Sequence, residues 1–156
     1  MADVELKGLP QLLAKLDLLK YDAKYKGGRF ALRKAAQVVS RQVRQNAQRI
    51  DDPQTRASIA KNVAERWNQR LYKSTGDLGF RVGILGGAGG NKTSAQLSAN
   101  PGGDTRHWRY KEFGTEKMPA EPFMRPAGEQ SAQHATNEFI VQFNKALDRT
   151  IKKAAK

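Results

Sequence analysis

Cysteine is absent from the chain and histidine occurs only twice. The first absence excludes a disulfide framework and a thiolate metal site, and it fits a reducing cytoplasm. The second leaves His107 and His134 too far apart to share a site by local spacing, and no serine stands in a strand–turn–helix elbow, so neither a histidine metal centre nor a Ser–His pair is expected. Long apolar runs are missing too. Nothing approaches the ~20 residues of a membrane span, and the opening MADVELKG lacks the charged and apolar regions of a signal peptide. A soluble, unprocessed chain with no membrane partner is expected. Acid is also scarce: 15 Asp and Glu face 28 Lys and Arg, a net charge of +13. Such an excess favours a polyanion or an acidic protein surface as neighbour.

What is present suffices for one domain. The chain has 156 residues, 38% of them hydrophobic, so a single domain over 1–156 is expected, with solvated faces that partners complete. DVELKG (3–8) alternates like a short strand, and Leu9, Leu12, Leu13, Leu16 and Leu19 mark one helical stripe. Gly27-Gly28 is expected to interrupt it. From Arg29 to Ile50 a second stripe runs through Leu32, Ala36, Val39, Val43, Ala47 and Ile50, leaving Arg33, Lys34, Arg41 and Arg44 off it. Nine cations lie between Lys20 and Arg49 against one acid, Asp22. Those four side chains are candidates for contact with a polyanion or a partner; a solvated helix face is the alternative.

Asp52 and Pro53 fit the start of a third helix, along which Ile59, Val63, Trp67 and Leu71 step by four until Thr75-Gly76. GFRVGIL (79–85) alternates as a half-buried strand, and RHWRYKEF (106–113) reads as its antiparallel partner. The intervening residues, about 86–105, then form a long, flexible polar hairpin loop. Ala135, Phe139, Phe143, Leu147 and Ile151 predict a long terminal helix ending in a basic tail, Lys152, Lys153 and Lys156. The fold class is therefore α+β: a small antiparallel sheet with a long-loop hairpin packed against three or four helices.

GGAGGNKT (86–93), after the apolar FRVGIL, has the look of a phosphate loop. Asn91, however, stands where that loop needs its last glycine, and no strand-following helix of useful length is predicted beyond it. Asp51-Asp52 is a helix boundary more naturally than an acid/base pair. No catalytic constellation is found, and no catalysis, cofactor or metal is expected.

The least generic segment is RYKEFGTEKMPAEPFMRPA, 109–127. Gly114 permits a backbone angle closed to other residues, and Thr115 can bond nearby backbone. Pro119, Pro122 and Pro126 disfavour helix before them, so the chain must run extended until Pro126, or shortly before it, opens the last helix. Phe123 and Met124 can plug the core there. The run EFGT followed by KMPAEPFMRPA resembles the signature of a long-tailed phage family named after gene product ten of a lambdoid phage. Glu112, Phe113, Gly114, Thr115, Met118, Pro119, Ala120, Pro122, Phe123, Arg125, Pro126 and Ala127 fall in register, while Glu121 stands where a basic residue is expected. TGDLGFRVGILGG (75–87), GGDTRHW (102–108) and KGLPQLLAKL are similar to family members as well.

The resemblance implies a structural subunit of the neck or of tail completion, found in the virion and in the host cytoplasm during assembly. Its partners would be head-closure and tail-terminator or tube rings, with a homo-oligomeric ring in the particle. The alternative function is non-specific nucleic-acid binding through the basic helix 29–49. There each neutralised phosphate would release counterion and make binding salt-dependent. Trp67, Trp108 and Tyr110 are assigned to packing faces, so no base-stacking platform is expected to accompany those cations.

Overall fold

A computed structural model describes residues 14, 17, 20–86 and 92–155. The expected strand at 3–8 and most of the leucine stripe lie outside these residues. In chain order the elements are α1 (Gly28–Gln48), β1 (Val63–Trp67), α2 (Gln69–Thr75), β2 (Phe80–Ile84), α3 (Ser94–Ser98), α4 (Trp108–Phe113) and α5 (Met124–Ala154). The class is α+β, with a long C-terminal helix and one two-stranded antiparallel sheet.

Gly27-Gly28 does not break the first helix. A π turn, Asp22–Gly27, passes directly into α1, and Gly28 keeps right-handed helical angles. The glycines are buried because α5 and Leu78 come close. A Cβ on Gly27 would lie 3.1 Å from the Cβ of Ala146, and one on Gly28 would lie 3.0 Å from Cδ1 of Leu78. Small side chains are also buried on both helices, Ala31, Ser40 and Ala47 on α1 and Ala127, Ser131 and Ala146 on α5. The helices run antiparallel: Gly27 meets Ala146, while Asn46 at the other end donates to the Phe123 carbonyl at 3.2 Å. Gly27→Leu should therefore wedge the seam apart and cost about 1–3 kcal/mol in denaturant unfolding.

The sheet is built from other residues than expected. Val63–Trp67, assigned to a third helix, is β1, and it pairs with β2 from Val63↔Ile84 to Trp67↔Phe80. The partner strand thus precedes β2. RHWRYKEF, expected to be that partner, forms α4 instead. Spacing by four fits both a helix and a strand, whose side chains repeat every second residue. In β1 the β-branched and aromatic ends, Val63 and Trp67, settle the matter for strand. They turn one face, with Val82 and Ile84, toward α1.

The hairpin connection is consequently residues 68–79, which hold α2, capped by the Asn68 side chain and closed by Gly76 in the left-handed region. Residues 86–105 follow the sheet rather than joining its strands. In their described part Thr93 and Gln96 form a reciprocal capping box on α3, and Leu97 is buried. Asn62, fully buried, then clamps the next stretch. Its amide donates to the Gly103 carbonyl at 2.9 Å and to Oγ1 of Thr105 at 2.7 Å, and its oxygen accepts from the Gly102 N–H at 2.7 Å. A side chain at Gly102 would overlap the Ser58 carbonyl oxygen. Asn62→Ala is expected to cost about 2 kcal/mol and to speed amide exchange across 102–105.

The core is one cluster: Val43, Ala47, Ile59, Ala60, Val63, Ile84, Phe123 and Ala127, with Val39, Ile50, Val82, Trp108 and Met124 against it. It sits where the end of α1, the sheet and the start of α5 meet. Asp52, expected as a helix cap, instead accepts from Gln54 N–H in a turn. Asp51 does the capping: its carboxylate accepts from the N–H groups of Ile59 at 2.8 Å and Ala60 at 3.2 Å, at the 3₁₀ turn before β1.

Candidate functional site

The segment 109–127 is a tight crossing organised by one carboxylate. Glu112 lies in the last turn of α4 and is 5% exposed. Its Oε2 accepts from the N–H of Phe123 at 2.8 Å and of Met124 at 2.9 Å, and its Oε1 from that of Arg125 at 3.1 Å. A helix leaves its first four N–H groups without internal partners. Here three of them bond Glu112, and the fourth residue, Pro126, has no N–H. The start of α5 is thus fully satisfied, and a negative charge sits at the positive end of its dipole.

Between these ends the chain doubles back. Gly114 has φ +73°, and a Cβ there would meet the Ala120 nitrogen at 2.8 Å. Thr115 and Met118 then exchange backbone hydrogen bonds at 2.8 and 3.2 Å. The Thr115 hydroxyl also accepts from the Lys117 N–H. Glu121 N–H reaches back to the Lys111 carbonyl at 2.7 Å, and its carboxylate pairs with Lys111 Nζ at 2.7 Å. Glu121, the departure from the family pattern, is therefore the partner of a lysine ten residues earlier. Pro119 and Pro122 are exposed along the extended run, and Phe123 is buried at 1% exposure. Phe113 is 65% exposed and Tyr110 57%, so Phe113 packs no core although it falls in the signature.

The four basic candidates do not act as one group. Arg33 and Arg41 are exposed on α1, and Lys34 Nζ lies 5.6 Å from the centre of the Phe30 ring. Arg44 is drawn onto the sheet: it donates to the Val63 carbonyl at 2.9 Å and lies 3.7 Å from Glu65. Arg44 is a strut between α1 and β1.

One of the four, Arg33, gathers with cations not named as candidates, Lys26, Arg29 and Arg66. An open groove of about 620 Å³ between α1 and the sheet is lined by Lys26, Arg29 and Arg33 on one side and Glu65, Arg66 and Trp67 on the other. The Arg29 guanidinium stacks 4.5 Å from the centre of the Trp67 ring. On the sheet's outer face Arg66 stands directly opposite Arg81. Arg81 was visible in the alternation of FRVGIL, whereas assigning Arg66 to a helix hid the pairing.

Two exposed ion pairs have shifted titrations. Asp22 is held below the ordinary carboxylate range, first by the hydrogen bond from Lys26, and Asp104 likewise by the hydrogen bond from Arg106. The folded values are the lower ones. The stability they lend is therefore present above the unfolded pKa and lost as pH falls through the folded values. Among the described residues no group of three or more His, Cys, Asp or Glu could hold a metal ion, and no helix is long and apolar enough to cross a membrane.

No family model, no curated protein and no solved structure matches the chain.

Proposed function

We propose that this chain is a structural virion protein of a long-tailed phage or prophage, a subunit of the neck or of the completed tail. The observation that carries the reading is the segment from Glu112 to Ala127. Its residues in register with the family signature include those that make the crossing: the capping carboxylate Glu112, the turn at Gly114, and Phe123 with Pro126 at the helix start. A segment of this kind supports assembly by holding a hairpin-and-helix body rigid. It leaves apolar side chains outside, Tyr110 and Phe113 beside the crossing and Ile140, Val141 and Ile151 on α5. In this reading they meet neighbouring subunits of a closed ring and the adjoining head-closure, terminator or tube rings.

The test is to purify tailed particles from the strain that carries the gene and to look for the chain in them by mass spectrometry and gold labelling. The expected result is label at the neck or the head-proximal tail end, and tails that fail to join heads when the gene is deleted. Intact infectious particles without the chain would overturn the proposal.

A further inference from the structure

The cations that the fold brings together belong to two elements that the sequence keeps far apart. Arg29 and Arg33 stand one helical turn, about 6 Å, apart on α1 and line the groove against β1. Arg66 lines both that groove and the neighbouring hollow on the sheet's outer face, where Arg81 and Lys92 join it. The band is thus continuous through Arg66. Among the described residues its one carboxylate, Glu65, lies against Arg44, and Lys26 at its edge is paired with Asp22 at 2.8 Å. Arg66 and Arg81 are exposed and directly opposed in the antiparallel pair. That arrangement of like charges is unfavourable without a counter-anion. Ala64 and Gly83, the next pair on the same face, leave room for a ligand to approach the backbone.

The geometry points to a binding face for the phosphate backbone of nucleic acid, formed by Arg29, Arg33, Arg66, Arg81 and Lys92. An acidic polypeptide is the less suitable occupant. A protein interface needs an apolar or aromatic centre, and the groove's aromatics are engaged with one another: Trp67 packs on Tyr72 at 5.6 Å and on Phe80 at 5.4 Å. Among the described residues, Phe30 alone of the large exposed apolar side chains borders the band. With the rings so occupied, bases have no free platform, and the contact is to phosphates irrespective of sequence. This face differs from the helix 29–49 surface in using the sheet and leaving out Arg41 and Arg44. It does not depend on the virion reading.

The experiment is fluorescence anisotropy of the full chain with a labelled random-sequence duplex at several salt concentrations. Five neutralised phosphates give a slope of about −4.5 in log K against log salt, or about a 500-fold loss between 50 and 200 mM. The Arg66→Gln/Arg81→Gln variant should flatten the slope to about −2.7, about a 40-fold loss over the same range. Its melting temperature should hold or rise. The charge-matched Arg41→Gln/Arg49→Gln variant should keep the original slope. Arg66→Lys/Arg81→Lys should keep it also, and should the glutamine pair melt early, Arg81→Gln alone should reduce the slope by about 0.9. Equal losses in the two charge-matched doubles, or an unchanged slope in the sheet variants, would overturn the assignment. So would displacement of the duplex by polyglutamate at equal charge concentration, which would assign the face to an acidic polypeptide.

Discussion

Phe123→Ala is expected to lower the unfolding free energy by about 3–5 kcal/mol, the range for removing a fully buried ring. Among the described residues Phe123 is the largest fully buried side chain, and it packs among residues of α1, the sheet and α5. Most of its neighbours sit in hydrogen-bonded helices and strands, Val43 and Ala47 in α1, Val63 and Ile84 in the sheet and Ala127 in α5, so they can close only part of the space it leaves. Urea unfolding followed by circular dichroism measures the loss directly. An unchanged midpoint would mean that the ring is not the plug described here. In a particle, the same variant should give heads without joined tails.

Glu112→Ala should come second, at about 3 kcal/mol, because three backbone donors at a buried helix start lose a charged acceptor together. The bonds from Met124 and Arg125 are part-buried, where water can replace the carboxylate, and the bond from Phe123 is buried. Glu112→Gln is the sharper probe. Its amide keeps one accepting oxygen but turns two N–H donors toward N–H groups, so about 2 kcal/mol should still be lost. Amide exchange should locate the damage at Phe123, Met124 and Arg125. Wild-type stability in the glutamine variant would remove the capping role.

α1 could be read from apolar positions that mix steps of three and four, and α5 from a stripe that runs from Ala135 to Ile151, too long for an ordinary strand. β2 could be read because Arg81 and Gly83 alternate cleanly with Phe80, Val82 and Ile84. β1 and α4 could not. Each is five or six residues long and shows its inward side chains four apart, Val63 and Trp67 in one, Trp108 and Glu112 in the other. Over one step the helical and strand readings coincide, and tertiary packing decides.

Within the crossing, the prolines and Gly114 announced an extended, turning path, and Phe123 its plug. The capping role of Glu112 had no sequence signal, since its partners are backbone N–H groups eleven to thirteen residues further on. The basic band was hidden for a related reason. Its halves, Arg29 and Arg33 against Arg66 and Arg81, become neighbours only once 63–67 is a strand.

That short separation between Glu112 and its partners also bears on how the chain folds. Closing a loop of about a dozen residues costs little entropy and takes tens of nanoseconds. The knot of α4, turn and first turn of α5 can therefore assemble before α1 and α5 find each other across about eighty residues of chain. A transition state polarised toward this corner would let a nascent chain set the direction of its last helix while the rest is still searching.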